Sequence, residues 1–268
     1  MIEACIFADE VSKEFDEAVR LSVGAGARCI ELRGGIWGRS VQNCTDEDVE
    51  RMQAVLAQHG ARVAVIGSPV GKCPLDNEEE YRTHLRWFDR MCELAHVFGT
   101  RVIRGFAFWN PNSDHSVRPN LEHYLPLIAE KLAPIVAKAE QGNVLYCLET
   151  ENSTMTGTCA EIAAVIEALG GSPNLGATWD VSNGWEGGEL PYPDGYSKVL
   201  GRVHHLHVKP NARKNLETVA DAPLSYAEIL RVLKADGYDG CAGIEHWGSP
   251  ELMLEGVRQV VALLEHLT

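Results

Sequence analysis

Short apolar runs alternate with longer amphipathic stretches along the whole chain. The runs are continuous in apolar character, which is typical of strands buried on both faces of a parallel sheet. The stretches between them have helical periodicity, or at least the length for a helix. The pattern predicts eight strands, over residues 4–8, 28–32, 62–66, 101–106, 144–149, 175–180, 203–208 and 240–245. It predicts a helix after each strand, over residues 15–24, 46–59, 78–98, 121–141, 158–169, 196–200, 225–236 and 250–266.

Capping and turn residues support several of these boundaries. Thr45 is the predicted N-cap of the second helix, Asp48 completes a capping box with it, and Gly60 follows the end of the helix. Pro126 and Pro134 fall inside the helix predicted over residues 121–141. Because a proline inside a helix lacks the amide hydrogen and clashes with the preceding turn, these two predict a break or a kink.

The alternation predicts an α/β fold with a parallel sheet and right-handed crossovers. The 268 residues are a common length for one eight-unit barrel, and no linker or low-complexity segment interrupts them. A closed barrel fits better than an open sheet, because the candidate ligands described below follow four successive strands, whereas an open sheet binds ligands mainly at one crevice. The prediction is a single (β/α)8 TIM barrel that forms one domain over residues 1–268.

The composition limits the partners and compartments. Apolar residues make up 45% and charged residues 23% of the chain, and the formal net charge is −14. Such a surface repels nucleic-acid backbones and anionic membranes, so neither is expected as a partner. No apolar run approaches the ~18 residues of a membrane helix, no signal peptide precedes the first strand, and no two cysteines have Cys-x-x-Cys spacing. These features favour a reducing cytoplasm.

A residue with metal-binding chemistry ends each of the last four predicted strands: Glu149, Asp180, His207 and Glu245. The C-terminal strand ends of a barrel meet at one face, where chemistry is found. Three carboxylates and an imidazole that meet there need a cation between them. Such an oxygen-rich site favours one divalent metal ion, Mn²⁺ first, with Mg²⁺, Co²⁺ and Zn²⁺ as the other candidates. His205 lies on the same strand face beneath His207, and is expected to be a buried polar residue.

Three cations near the strand ends are candidates for binding a substrate. Lys209 and Arg213 follow the seventh strand, and Lys72 follows the third in the loop Gly-Ser-Pro-Val-Gly-Lys. Their charges suit hydroxyl or phosphate groups, and the alternative for each is a solvated basic loop. The loop before Lys72 is not a phosphate-binding Walker motif, because its spacing is wrong and neither Ser nor Thr follows the lysine.

Tryptophans also gather just past the strand ends. Indole rings stack on the apolar faces of sugar rings, and packing of the loops is the alternative role. Two tryptophans are expected to line a pocket, out of Trp37, Trp109, Trp185 and Trp247, with the last three as the favoured candidates.

These residues resemble the xylose-isomerase-like TIM-barrel superfamily, and the resemblance extends from Ile30-Glu31-Leu32 to Gly243-Ile244-Glu245. In ketose epimerases of this superfamily a Glu, an Asp, a His and a Glu bind one divalent metal, and the two Glu residues are also the acid/base pair. The resemblance therefore implies that Glu149, Asp180, His207 and Glu245 bind the metal, and that Glu149 and Glu245 are catalytic. It also matches Lys209 to a His-x-Lys pattern, and Arg213 to an arginine six residues after the metal histidine.

The chain departs from the epimerase pattern at several positions that contact substrate in those relatives. Asn183 stands where they carry a substrate-contacting His, Met155 stands where they carry a Glu, and Pro210 replaces the Asp after His-x-Lys. Asn183 is thus a candidate substrate residue with altered chemistry. The resemblance implies the metal site and leaves the identity of the substrate open.

The resulting hypothesis is a metal-dependent isomerase or epimerase that acts on a sugar or a sugar phosphate. The metal would chelate the carbonyl and the adjacent hydroxyl oxygens, and would stabilise the enediolate formed by loss of the neighbouring proton. Glu149 and Glu245 would flank the substrate, one removing the proton and the other delivering it. Return of the proton to the same carbon gives an epimer, and return to the neighbouring carbon gives an isomer.

Three other functions stay open. The same enediolate can expel a β-substituent, so a dehydratase or lyase on a keto-sugar or keto-glycoside is the close alternative. An AP endonuclease of this superfamily uses three zinc ions and extra histidines, and both Asn183 and the net charge of −14 argue against it. Fold alone does not exclude a non-catalytic carbohydrate-binding subunit. Exposed barrel helices, such as the one predicted over residues 121–141, leave room for a homo-oligomer.

Overall fold

The computed structural model describes residues 1–267. Eight parallel strands close into a barrel in chain order, which confirms the predicted (β/α)8 TIM-barrel class. The strands are buried along most of their length, as their continuous apolar character predicts. Their bounds are β1 Glu3–Phe7, β2 Cys29–Leu32, β3 Arg62–Gly67, β4 Val102–Gly105, β5 Leu145–Glu149, β6 Leu175–Asp180, β7 Val203–Val208 and β8 Cys241–Ile244.

The helices follow the strands at the predicted places, and most boundaries agree with the prediction within two residues. The predicted Thr45–Asp48 capping box is present, and Ser225 and Glu228 form another. The helices are α1 Phe15–Ala25, α2 Asp46–His59, α3 Glu78–Phe98, α4 Leu121–Gln141, α5 Cys159–Ala168, α6 Val181–Glu186, α7 Tyr196–Lys198, α8 Tyr226–Ala235 and α9 Pro250–Glu265.

The break predicted within α4 is wrong. A single helix extends from Leu121 to Gln141 through both Pro126 and Pro134. Both prolines are exposed, and so are Glu122 and Glu130, whose carbonyl groups lose their helical hydrogen bonds. Water can therefore satisfy these carbonyls, and the buried face of the helix, with Ile128 and others, continues without interruption.

Within residues 1–267, no helix has both the length and the apolar composition needed to cross a membrane.

The Cα positions group into two compact units. The predicted organisation as one domain therefore stays a prediction.

One unit comprises Met1–Gly67, Phe98–Thr100 and the chain from His205 onward. In it β1 pairs with both β2 and β8, so that Cys5 lies opposite both Cys29 and Gly243. On β7 and β8 the register places His207 opposite Gly243, directly below the end of β8.

The other unit comprises Ser68–Val97 and Arg101–His204. In it Arg104 of β4 lies opposite Cys147 of β5, and Glu149 of β5 lies opposite Thr178 of β6. Arg104 and Glu149 are thereby brought to the same end of neighbouring strands.

Candidate active site at the strand ends

The four residues predicted as metal ligands come together in the structure. Glu149, Asp180, His207 and Glu245 each offer one ligand atom, and these atoms lie within 4.8 Å of one another. All four side chains are buried, none more than 4% exposed. Buried like charges at this separation oppose folding unless a cation compensates them. Three carboxylates and one imidazole fit a hard or borderline divalent ion, so the cluster could hold such a metal.

Asp180 owes its position to a helix that the apolar pattern misses. It ends β6 and is the N-cap of α6, where its Oδ1 atom accepts a hydrogen bond of 2.9 Å from the amide of Asn183. The side-chain amide of Asn183 donates in turn to the carbonyl of Thr150, at 2.8 Å. Asn183, predicted to bind substrate, is buried and ties the ends of β5 and β6 together. Trp185 lies on the same short helix and is half-buried.

Glu149 has a buried cation beside it. Its Oε2 atom lies 3.4 Å from Nε of Arg104, and both side chains are about 5% exposed or less. Arg104 also donates to the carbonyl of Ser68 at 3.2 Å, and its guanidinium lies 4.7 Å from the centre of the Phe106 ring. Arg104 has no role predicted from the apolar pattern, although a lone arginine in an apolar strand is the signal that marks it.

Glu245 is flanked by two cations. Nζ of Lys209 lies 3.5 Å from Oε2 of Glu245, and a guanidinium nitrogen of Arg33 lies 3.4 Å from Oε1. Arg33 also pairs with Asp9 at 3.0 Å and with Glu10 at 2.9 Å, which fixes its plane. Burial alone would lower the pKa of Arg33, but these three carboxylates more than offset it and raise the pKa above its usual value. Lys209 and Arg33 thus both pair with Glu245, and the role of Lys209 in binding substrate stays a prediction.

A further carboxylate, that of Glu31, lies beneath His207 of the cluster. Its Oε2 atom accepts hydrogen bonds from Nε2 of His205 at 2.7 Å and from Nε2 of His207 at 3.1 Å, and all three side chains are fully buried. Burial tends to raise the pKa of Glu31, but the two imidazoles and their hydrogen bonds outweigh it and hold the pKa well below its usual range. Nδ1 of His207 lies on the other side of the ring, 3.6 Å from Glu245. The Nε2 hydrogen bond therefore favours the tautomer whose Nδ1 lone pair can bind a cation.

The two imidazoles have enough space because the neighbouring residue on β8 is a glycine, Gly243. A Cβ atom on Gly243 would lie 2.8 Å from Nε2 of His205 and 3.4 Å from Oε2 of Glu31. Glycine at this strand position therefore makes room for the buried Glu31–His205–His207 network. His205 is buried and polar, as expected from the sequence.

Contacts with several other segments fix the loop that contains Lys72. Its Nζ atom lies 3.2 Å from Oε2 of Glu151 and 4.3 Å from the centre of the Phe106 ring. The preceding Gly71 has a φ of +86°, and a Cβ there would lie 2.0 Å from the carbonyl oxygen of Phe106. The amide of Gly71 donates to Nδ1 of His84 at 3.0 Å, and burial lowers the pKa of His84 to about 4. Neutral His84 thus fixes the backbone that presents Lys72.

Two of the predicted substrate residues lie elsewhere. Trp247 is fully buried, its indole nitrogen donates to the carbonyl of Val208 at 3.1 Å, and a Cβ on Gly256 would lie 2.7 Å from its ring. It packs in the core, so the prediction that it lines a pocket is wrong. Arg213 has an 82% exposed side chain that pairs with Glu217 at 3.6 Å. It lies in solvent rather than in the buried cluster, and its role in binding substrate stays a prediction.

Comparisons with known proteins agree with this architecture. A family model described as "Xylose isomerase-like TIM barrel" matches residues 19–267. The chain belongs to this family, as the sequence resemblance implied. A search of functionally curated proteins finds no match.

Several solved structures share the fold at low sequence identity. The probable 3-DHS dehydratase AsbF from Bacillus anthracis has a TM-score of 0.73 and 18% identity, over 97% of this chain and 99% of that one. A xylose isomerase-like TIM barrel protein from Mycobacterium smegmatis, in complex with magnesium, has a TM-score of 0.74 and 17% identity, over 99% and 97%. The 3-keto-D-glucoside 4-epimerase YcjR from E. coli has a TM-score of 0.74 and 14% identity, over 99% of both chains. At these identities the likeness shows the fold alone.

Proposed function

We propose that this protein is a divalent-metal-dependent isomerase or epimerase of a sugar or sugar phosphate. The observation that carries the proposal is the buried cluster of Glu149, Asp180, His207 and Glu245, whose ligand atoms lie within 4.8 Å of one another. Sugar epimerases and a magnesium complex among proteins of the same fold support it. We propose Mn²⁺ as the natural ion, with Mg²⁺, Co²⁺ and Zn²⁺ as alternatives, because the donor set is oxygen-rich.

A divalent ion in this cluster would act as a Lewis acid that acidifies the C–H group next to a substrate carbonyl. Glu149 and Glu245 are the carboxylates proposed to remove and return the proton. Arg104 orients Glu149, since their atoms lie 3.4 Å apart, and Arg33 and Lys209 orient Glu245 in the same way. Lys209 and Lys72 are the cations proposed to bind substrate oxygens, together with Asn183, Trp109 and Trp185.

The first test is metal content. Purified protein is expected to contain about one divalent ion per chain by elemental analysis. His207→Ala should lose it, because the imidazole supplies one of four donors, whereas His115→Ala at an exposed position should keep it. If no ion binds even after divalent metals are supplied, the proposal is wrong.

The second test is proton exchange in deuterated water. Incubation of the metal-loaded protein with a panel of ketoses should introduce deuterium next to the carbonyl of the true substrate, as seen by mass spectrometry. Glu245→Gln should abolish the uptake while the ion stays bound. Full turnover by this variant with the metal in place would remove Glu245 from the proposed role.

A dehydratase or lyase is the second candidate, because one protein with the same fold is a probable 3-DHS dehydratase. Loss of a β-substituent starts from the same deprotonated intermediate and needs the same two carboxylates. The two reactions differ in mass balance. A product that is lighter than its substrate by one water or one alcohol indicates elimination, and a product of unchanged mass indicates isomerisation.

A further inference from the structure

A cavity of about 420 Å³ lies among the loops that follow β3, β4 and β5. Because the strands are parallel, these loops leave the sheet at the same end as Glu149. The volume falls within the ~300–1,000 Å³ of typical small-molecule sites. Its main walls are Trp109, Tyr124, Leu127 and Met155.

The walls of this cavity are mostly apolar and aromatic. Trp109 and Tyr124 contribute aromatic rings, and Met155 is almost fully buried behind them. Leu127 is 38% exposed, which is unusual for a large apolar side chain on an otherwise amphipathic helix. Aromatic and aliphatic surfaces of this kind favour a ligand with a flat ring and apolar faces. Exposed Asp76 and buried Asn110 are the polar residues of its lining.

Backbone hydrogen bonds hold the cavity in shape. The amide of Trp109 donates to the carbonyl of Cys73 at 3.0 Å, which joins the loops after β4 and β3. The amide of Met155 donates to the carbonyl of Phe108 at 2.9 Å, which joins the loops after β5 and β4. Because three separate loops are tied together, the walls are formed before a ligand arrives, which lowers the entropy cost of binding.

A pair of charged groups lies beside the Trp109 wall of the cavity. Nζ of Lys72 lies 5.5 Å from the centre of the Trp109 ring and 3.2 Å from Oε2 of Glu151. Glu151 follows Glu149 by two residues, in the loop that also contains Met155. The ammonium of Lys72 and the carboxylate of Glu151 both suit the hydroxyls of a sugar bound next to the cavity.

We propose that this cavity binds the ring aglycone of a keto-glycoside, a glycoside with its carbonyl on a ring carbon other than the anomeric one, so that the natural substrate is a glycoside rather than a free monosaccharide. The inference rests on the proposed function, because it places the reacting sugar at the metal cluster. The aglycone is recognised by its apolar faces, which both an aryl group and a second sugar ring possess.

The test is a comparison of dissociation constants on the manganese-loaded protein by saturation-transfer NMR and calorimetry. The probes are methyl and phenyl D-glucopyranosides and D-galactopyranosides of both anomeric configurations, which share the ring and the aglycone of a keto-glycoside but lack its carbonyl and therefore do not react. Maltose, cellobiose and lactose serve as the arm with a sugar aglycone. Glycosides with a ring aglycone are expected to bind about 3- to 10-fold more tightly than the methyl glycoside of the same sugar. If the phenyl glycosides gain more affinity over the methyl glycosides than the disaccharides do, the aglycone is an aryl group. If the disaccharides gain more, it is a sugar.

Variants locate the effect. Tyr124→Ala and Leu127→Glu should remove the advantage of the ring aglycone, and neither residue is fully buried, so both proteins are expected to fold. Leu200→Ala, at a 58% exposed leucine away from the cavity, should keep it. Equal binding of ring and methyl glycosides by the wild type overturns the inference, and so does an advantage that survives both cavity variants.

A third variant separates this inference from the proposed function. His207→Ala should weaken all glycosides together and leave the ratio of ring to methyl glycoside unchanged. If His207→Ala changes neither the metal content nor the binding of any glycoside, the proposed function fails and the inference fails with it. If His207→Ala behaves as expected but the ratio is one in the wild type, only the inference fails.

Discussion

Oε2 of Glu31 accepts a hydrogen bond from Nε2 of His207, 3.1 Å away, in a fully buried position. This contact leaves Nδ1 as the ring atom that can bind a cation. Glu31→Gln removes the negative charge that both imidazole N–H groups share at Oε2, and leaves a neutral amide oxygen that is a weaker acceptor. We expect affinity for Mn²⁺ to fall about 10- to 100-fold in calorimetric titration, the range seen when a partner of a ligating histidine is lost.

The matched control for this prediction is Glu47→Gln, which removes an exposed carboxylate from the first turn of α2. Its affinity for Mn²⁺ should equal that of the wild type. Nitrogen NMR of labelled histidine gives an independent readout, because it reports which ring nitrogen of His207 carries the proton. Unchanged Mn²⁺ affinity and an unchanged tautomer in Glu31→Gln would contradict the role of Glu31.

The buried pair of Arg104 and Glu149 should matter for folding. Arg104→Met leaves Glu149 buried without this cation, and removing one partner of a buried ion pair costs about 3–5 kcal/mol. We expect the free energy of unfolding in urea, measured without metal, to fall by an amount of this order. Arg82→Met is the control, because Arg82 pairs with Glu78 on the surface and such pairs contribute less than about 1 kcal/mol. Similar decreases in the free energy of unfolding for the two variants would show that the buried pair stabilises the fold no more than a surface pair does.

Trp247 is expected to stabilise the core rather than bind substrate. Trp247→Ala removes a fully buried ring and the hydrogen bond to Val208, which should cost about 3–5 kcal/mol of unfolding free energy. Trp87→Ala, at a half-buried position on α3, should cost less. Trp247→Phe retains most of the volume, and should leave the Michaelis constant for the substrate unchanged. A large change in that constant with normal stability would restore the original prediction for Trp247.

His84 should make the stability of the protein depend on pH. Burial lowers its pKa from the usual 6.5 to about 4, so the unfolded chain binds a proton more readily than the folded one. The stabilisation by neutral His84 is therefore complete above pH 6.5, decreases as the pH falls towards 4, and is lost below it. The full loss is on the order of 3 kcal/mol. Protonated His84 also cannot accept the hydrogen bond from Gly71.

His84→Asn isolates this effect, because the asparagine oxygen can still accept from Gly71 but does not titrate. Urea unfolding at pH 7, 5.5 and 4.5 should show a smaller decrease in stability for His84→Asn than for the wild type. All other titrating groups are common to both proteins, so the difference between the two slopes belongs to His84. Equal slopes would mean that His84 does not have the lowered pKa.

Much of the candidate site could be predicted from the sequence, because the position of each cluster residue depends only on the strand to which it belongs. A polar residue at the end of an apolar run lies at the mouth of a parallel barrel, and this argument alone placed Glu149, Asp180, His207 and Glu245 together. The continuous apolar runs identify the strands. A residue at the last position of a run lies at the C-terminal end of its strand, and therefore at the mouth of the barrel.

The remaining features depend on contacts between distant residues, or on short elements. Glu31 and His205 are separated by 174 positions, and nothing in either local pattern identifies the partner of the other. Helix α6 is only six residues long, so its apolar periodicity is too short to recognise. Trp247 and Arg213 both follow strand ends, but one turns into the core and the other into solvent, and this choice is made by packing of the loops.

The residues of the candidate metal cluster belong to strands or directly follow them, whereas the walls of the cavity lined by Trp109 and Tyr124 come from the connecting loops and the first turns of α4. Strand positions are fixed by pairing on both sides, so they resist insertions and deletions, while loops accept them. The two parts of the molecule can therefore diverge at different rates. A homologous gene could acquire a new substrate by exchanging a few loop residues, and would inherit its reaction chemistry intact.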